Sequence, residues 1–166
     1  MNDQKIDRSG ASNLLTDIPD VITLPSVIFV IFFAIGYITD LAFPGDFPAP
    51  LMLITAGGVL LLTSICLLGW AIREFMRAKT HVNLHKPALS IVTTGPYRYS
   101  LNPMYFALSM LYASAAIALF LVWTLAMLIP CLILLQYGVI NREEAYLEAK
   151  FGDTYRDYKE QVRRWF

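Results

Sequence analysis

At 166 residues the chain is one domain's worth of sequence, with no room for a second sizeable core. Hydrophobic residues make up 57% of it and charged residues 16%, with a mean hydropathy of +0.53, which excludes an ordinary soluble domain. The formal net charge is zero, and no nucleic-acid partner is expected.

In chain order, residues 1–20 are polar and contain no apolar h-region, so no cleavable signal peptide is expected. A first span is predicted from about Val21 to Phe43 and a second from about Leu51 to Ile72, each near the roughly 20 apolar residues that cross a bilayer. The stretch "TDLAFPGDFPAP" between them reads as a short, proline-rich, acidic turn. A polar connector follows, Arg73 to Ser100. From Leu101 to Ile140 no residue is charged. That run is too long for one crossing and suits two short helices joined near Phe120 to Thr124, with Pro130 kinking the second. Cys66 and Cys131 lie in apolar runs without C-x-x-C spacing, so neither a disulfide framework nor a zinc site is expected.

The cations set the expected orientation. Lys5 and Arg8 precede the first span; Arg73, Arg77, Lys79, Lys86 and Arg98 lie in the connector; Arg142, Lys150, Arg156, Lys159, Arg163 and Arg164 lie in the tail. None falls in either predicted outer turn. By the positive-inside rule, both termini and the connector are cytoplasmic and the chain crosses the membrane about four times. The expected fold is an all-α integral membrane protein with about four transmembrane helices, the last two a short hairpin, plus cytoplasmic C-terminal helices. Its divisions are a cytoplasmic segment 1–20, two spans in 21–72, a connector 73–100, a hairpin 101–140 and C-terminal helices 141–166. The bilayer is the expected partner, in a prokaryotic inner membrane.

Chemistry must then be built from connector and tail. "NREEAYLEAKFG" reads as a helix stopped by Gly152. Tyr155, Tyr158, Val162 and Trp165 then recur at helical spacing, predicting an amphipathic second helix that would suit the headgroup region. Glu143 and Glu144 stand immediately after an apolar span, where carboxylates are costly unless solvated or paired. They could instead complement the helix dipole, or Glu144 could pair with distant residues of the tail. His81 and His85 are four apart, but Pro87 follows and no third ligand stands near, so no metal is expected. A G-x-G-x-x-G loop and a P-loop are both missing. Gly95-Pro96 marks a turn, and Asn102-Pro103 opens the third span with proline in its first helical turn. A capped re-entry into the membrane accounts for these residues, but not for Tyr97, Arg98, Tyr99 and Tyr105 crowded around them.

"HKPALSIVTTGPYRYSLNPMY", followed one hairpin later by "REEAYLEAKFGDTYRDYKEQVRRW", resembles the isoprenylcysteine carboxyl methyltransferase family in its short prokaryotic form, with phospholipid and thiol methyltransferases as more distant relatives. The resemblance implies a membrane-embedded methyltransferase using S-adenosylmethionine without a Rossmann domain, its pocket built from the connector, the start of the hairpin and the start of the tail helix. It implies that Leu89, Ser90, Ile91 and Val92 line the adenosine side and that Tyr97 packs on the cofactor. Asn102, Pro103, Met104 and Tyr105 would close the pocket. Glu143 matches the family's cofactor-binding carboxylate, and His85 is carried with the cofactor set. The family usually has arginine where this chain has Leu101; Arg98 and Arg142 are the candidates to act in its place, and with Glu144 they form the expected catalytic set. The acceptor implied is a lipophilic or small membrane-accessible molecule with a carboxylate or thiol nucleophile, an isoprenylcysteine-like molecule being one such form. Two other readings stand beside it: an NADPH-dependent membrane reductase related to sterol reductases, with Arg73, Arg77 and Lys79 available to a 2′-phosphate, and a catalytically inactive membrane module.

Overall fold

The computed structural model describes residues 23–45, 51–78 and 90–165. Regular structure among them is helical: α1 (Pro25–Ala42), α2 (Leu51–Arg77), a 3-10 turn (Gly95–Arg98), α3 (Pro103–Ala118), α4 (Val122–Ala126), α5 (Leu128–Leu135), a π-helical turn (Gln136–Ile140), α6 (Asn141–Phe151) and α7 (Asp153–Gln161). Pro25–Ala42, Leu51–Arg77 and the continuous stretch Val122–Phe151 are long and apolar enough to cross a membrane. The 16 residues of α3 rise about 24 Å, somewhat short of the ~30 Å hydrocarbon thickness.

Prolines start two of these helices where their missing N–H does no harm: Pro25 after extended Leu24, and Pro103 after Asn102. α1 buries Ile28, Phe29, Gly36 and Asp40, and leaves Val30, Ile31, Ile38 and Leu41 on the face a bilayer would cover. α2 runs alongside α3, and α1 packs on α4 and α5. The central core joins Ile28 and Phe29 to Tyr105, Tyr112, Cys131, Leu135, Val139 and Ile140.

The two ends of the bundle differ in chemistry. At one end, α3 turns into α4 through Leu119–Leu121, with Phe120 at φ +56 and the Leu121 amide bonded to the Ala116 carbonyl. Asp40, from the end of α1, anchors that turn. Its carboxylate accepts from the Trp123 amide (3.0 Å), the Thr124 amide (2.8 Å) and the Thr124 hydroxyl (2.7 Å). A distant side chain thus fills the role of an N-cap for α4 and ties the first helix to the hairpin. The other end gathers the last turns of α2, residues 90–102, α6, α7 and the segment after α7.

Three boundaries differ from expectation. α2 continues to Arg77 and does not stop at Ile72, because Glu74 is buried and finds Thr94 and Arg77 as partners. The hairpin turn is complete by Leu121, so Thr124 is already helical; the helix that follows is interrupted at Met127, where Pro130 supplies no N–H to the Ala126 carbonyl, as its expected kink requires. α7 ends at Gln161; Val162 is extended (φ −124, ψ 136), so Val162 and Trp165 leave the amphipathic face the spacing predicted. Gly152 stops α6 as expected, at φ +55.

Candidate active site

α2 delivers Glu74 to the connector. Its carboxylate accepts from the Thr94 hydroxyl at 2.7 Å and from Arg77 at 2.9 Å. Gly95, at φ +62, lets the turn press onto this helix: a Cβ there would lie 2.6 Å from Glu74 Cγ and 2.9 Å from Trp70 Nε1. The 3-10 turn that follows buries Pro96 and Tyr97, and Tyr97 packs with Ala71, Val92, Phe75 and Met104. The Tyr158 hydroxyl, from α7, donates to the Tyr97 carbonyl at 2.6 Å. Burial pushes the Tyr97 hydroxyl well above the ordinary tyrosine value, helped by the Glu143 carboxylate and by Tyr158.

α3 and α6 meet across this end. The Tyr105 hydroxyl donates to Glu143 Oε2 at 2.7 Å. Glu143 is half-buried, and among the described residues no Lys or Arg lies within ion-pair distance of it. Glu144, next on the helix and so about 100° around it, points elsewhere. Its side chain is 6% exposed, with Arg164 Nε 2.8 Å from Oε1 and Lys159 Nζ 3.2 Å from Oε2. The Arg164 Nη2 donates to Oε2 at 2.9 Å. Adjacent carboxylates are therefore treated differently: Glu144 is paired with two cations of the fold, whereas Glu143 is met, among the described residues, by a phenol.

The π-helical turn immediately precedes this pair. It adds a residue to one turn and resets the face on which Glu143 and Glu144 emerge, a device frequent at functional sites. The Gln136 amide spans it, donating to Asn141 Oδ1 at 2.7 Å. That bond satisfies a polar group in an otherwise apolar stretch.

Of the residues expected at the site, Val92, Tyr97, Asn102, Pro103 and Tyr105 are buried at this end, with Ser90, Ile91 and Met104 half-buried beside them. Glu143 joins them through Tyr105. Arg98 and Arg142 are exposed. Glu144 is engaged by Arg164 and Lys159. His85 and Leu89, and with them His81, lie outside the described residues. Among the described residues no group of three or more potential metal ligands gathers. Sequence reasoning missed Arg164, Lys159, Tyr158 and Ser100; the aromatic spacing in the tail was the signal for Tyr158, but it was read as a membrane-surface face.

These features define an all-α membrane protein whose polar, aromatic site sits at one end of the helix bundle. The chain matches the family model described as phospholipid methyltransferase over residues 52–154, more than half its length, and it belongs to that family. It is accordingly a membrane methyltransferase, and the resemblance seen in its two motifs is borne out. A curated relative, an uncharacterized protein of Haemophilus influenzae, is 56% identical over 45 residues, which cover 27% of this chain and 68% of that protein. No solved structure matches the chain.

Proposed function

We propose that the chain transfers the methyl group of S-adenosylmethionine to a lipophilic or small membrane-accessible acceptor, from a site on the cytoplasmic face. The observation that carries this reading is Glu143, a half-buried carboxylate held by Tyr105 with no cation of the described chain opposite it. Such a group favours a ligand that brings its own positive charge. S-adenosylmethionine fits, with an amine and a sulfonium cation, and it supplies an activated methyl group when bound. Glu143 would hold the cationic part, while buried Tyr97 offers an aromatic face. Ser90, Ile91 and Val92 would border the adenosine. Asn102, Pro103 and Met104 keep the start of α3 dense and exclude water.

Methyl transfer to a nucleophile that is already anionic needs alignment more than proton transfer, so the chain's task is to position the acceptor and keep the site dry. A site where α3 and α6 reach the polar end of the bundle lets an acceptor enter from the bilayer and the cofactor from water. The cytoplasmic assignment follows from the basic residues at this end, among them Arg73, Arg77, Arg98, Arg156 and Arg163, set against the Asp40 end. Arg98 and Arg142 are both exposed, and Arg98 would meet the acceptor or lipid headgroups.

The test is transfer of tritium from S-adenosyl-[methyl-3H]methionine into solvent-extractable material by vesicles carrying the protein, with Glu143→Gln alongside. Incorporation by the wild type that the variant lacks supports the reading. Equal incorporation by both would remove Glu143 from the site.

A further inference from the structure

The segment after α7 does not drift into solvent. It runs in parallel beside Ser100, the Leu101 amide donating to the Arg163 carbonyl at 2.8 Å. The Ser100 hydroxyl (3.3 Å) and the Asn102 side-chain amide (3.2 Å) both donate to the Arg164 carbonyl. The Ser100 hydroxyl also accepts from the Asn102 amide at 3.1 Å. The turn that launches α3 is thus completed by backbone groups sixty residues away in sequence. Next along, the Trp165 indole donates to Gln136 Oε1 at 3.3 Å, reaching the same amide that spans the π-helical turn, and its ring packs on the central core.

Arg164 belongs to both halves of the site at once. Its carbonyl receives the Asn102 side chain, three residues before Tyr105. Its guanidinium makes a two-point ion pair with Glu144, the neighbour of Glu143. One contact, Nη2 to Oε2, is a hydrogen bond and the other, Nε to Oε1, a close ion-pair contact, so the planar guanidinium is oriented as well as held against the buried carboxylate. The Tyr105–Glu143 bond lies between these two anchors.

We propose that Arg164 is a positioning residue of the methyltransferase site: its carbonyl and guanidinium together hold the Asn102 turn against Glu144, and so set the contact between Tyr105 and Glu143. The segment 162–165 is then a strap across the site, anchored at the α3 turn, at Glu144 and at Gln136. Lys159 supplies charge to Glu144 but no second point and no link to Asn102, so it does not substitute for Arg164. The ligand-binding consequence rests on the adenosyl-cofactor reading above; the positioning itself does not.

The experiment compares wild type, Arg164→Gln, Arg164→Lys and Glu144→Gln/Arg164→Gln as full-length protein in detergent. S-adenosylhomocysteine titration gives affinity, and hydrogen exchange gives protection of the amides of Leu101 and Phe106, the latter bonded to the Asn102 carbonyl. Arg164→Gln is expected to weaken binding about tenfold and to speed exchange at both amides, with the melting temperature close to wild type. Arg164→Lys should recover part of the affinity. The double variant should be no worse than Arg164→Gln, because both changes act on one contact. Wild-type affinity in Arg164→Gln overturns the proposal, as does equal damage in the lysine and glutamine variants. If the wild type binds no S-adenosylhomocysteine, the cofactor reading fails, and the exchange data alone decide: faster exchange in Arg164→Gln upholds the strap, and unchanged exchange overturns it.

Discussion

Tyr105 and Glu143, 38 residues apart in the chain, meet through a 2.7 Å hydrogen bond at the end of the bundle where α3 begins and α6 takes over from the π-helical turn. The phenol donates and the carboxylate accepts, and among the described residues no Lys or Arg comes within ion-pair distance of Glu143.

Tyr105→Phe removes that donor from a half-buried carboxylate. A hydrogen bond to a charged group contributes about 1.5–3 kcal/mol, so a fall in S-adenosylhomocysteine affinity of roughly ten- to a hundredfold is expected, with a small loss of thermal stability. Titration calorimetry and a detergent melting curve check both. An affinity unchanged by the substitution would mean the phenol does not orient Glu143 for binding.

At the opposite end Asp40 accepts three hydrogen bonds from Trp123 and Thr124. Asp40→Ala strands two amides at the start of α4 and should destabilise the fold by about 2 kcal/mol. Because the site lies at the other end, the folded fraction should bind S-adenosylhomocysteine as the wild type does. A large loss of affinity at full folding would show that the two ends are coupled.

Gly36 and Gly58 give a matched pair on the first two helices. A Cβ at Gly36 would lie 2.4 Å from the Thr124 Cα, a backbone atom that cannot step aside, whereas a Cβ at Gly58 meets nothing within 4 Å. Gly36→Ala should push α1 off α4 and cost about 1–3 kcal/mol or more. Gly58→Ala should be neutral or slightly stabilising, since alanine is the better helix former. Melting temperatures of the two variants measured side by side decide it.

Alkaline pH should unfold the site end first. Burial raises the hydroxyls of Tyr97, Tyr155 and Tyr158 above the ordinary value, with the nearby Glu143 carboxylate adding to the rise at Tyr97 and the Glu144 and Glu143 carboxylates at Tyr155. A raised folded-state value means the stability these groups contribute is fully present below about pH 10 and declines as pH climbs above it. Absorbance at 295 nm should show Tyr97, Tyr155 and Tyr158 ionising only together with loss of helical circular dichroism. Ionisation of all tyrosines with helicity intact would contradict the packing described for this end.

Much of this arrangement was legible in the sequence. The charge-free run from Leu101 to Ile140 declared a hairpin, because a bilayer tolerates nothing else of that length, and the Asn102 to Tyr105 and Glu143 positions came from two motifs whose order carried a resemblance. What escaped was non-local. Arg73, Glu74 and Arg77 look like the start of a polar loop, yet the helix continues through them because Glu74 meets Thr94, twenty residues on. Val162 and Trp165 keep helical spacing with Tyr155 and Tyr158, yet the chain goes extended there because Leu101, Ser100 and Asn102 offer it donors from sixty residues away. Periodicity reports what a helix could bury; it cannot report a competing partner that only the fold brings near. The same holds for the partners of Glu144: pairing with the tail could be expected from the sequence, but that Arg164 and Lys159 supply it is decided by the fold.

The measurement that bears most directly on the account is calorimetric titration of the detergent-purified protein with S-adenosylhomocysteine, with Glu143→Gln and an NADPH titration alongside. The account predicts saturable binding by the wild type, binding weakened at least about tenfold in Glu143→Gln, and none of NADPH. Binding of NADPH in place of the adenosyl ligand, or adenosyl binding indifferent to Glu143, would contradict it.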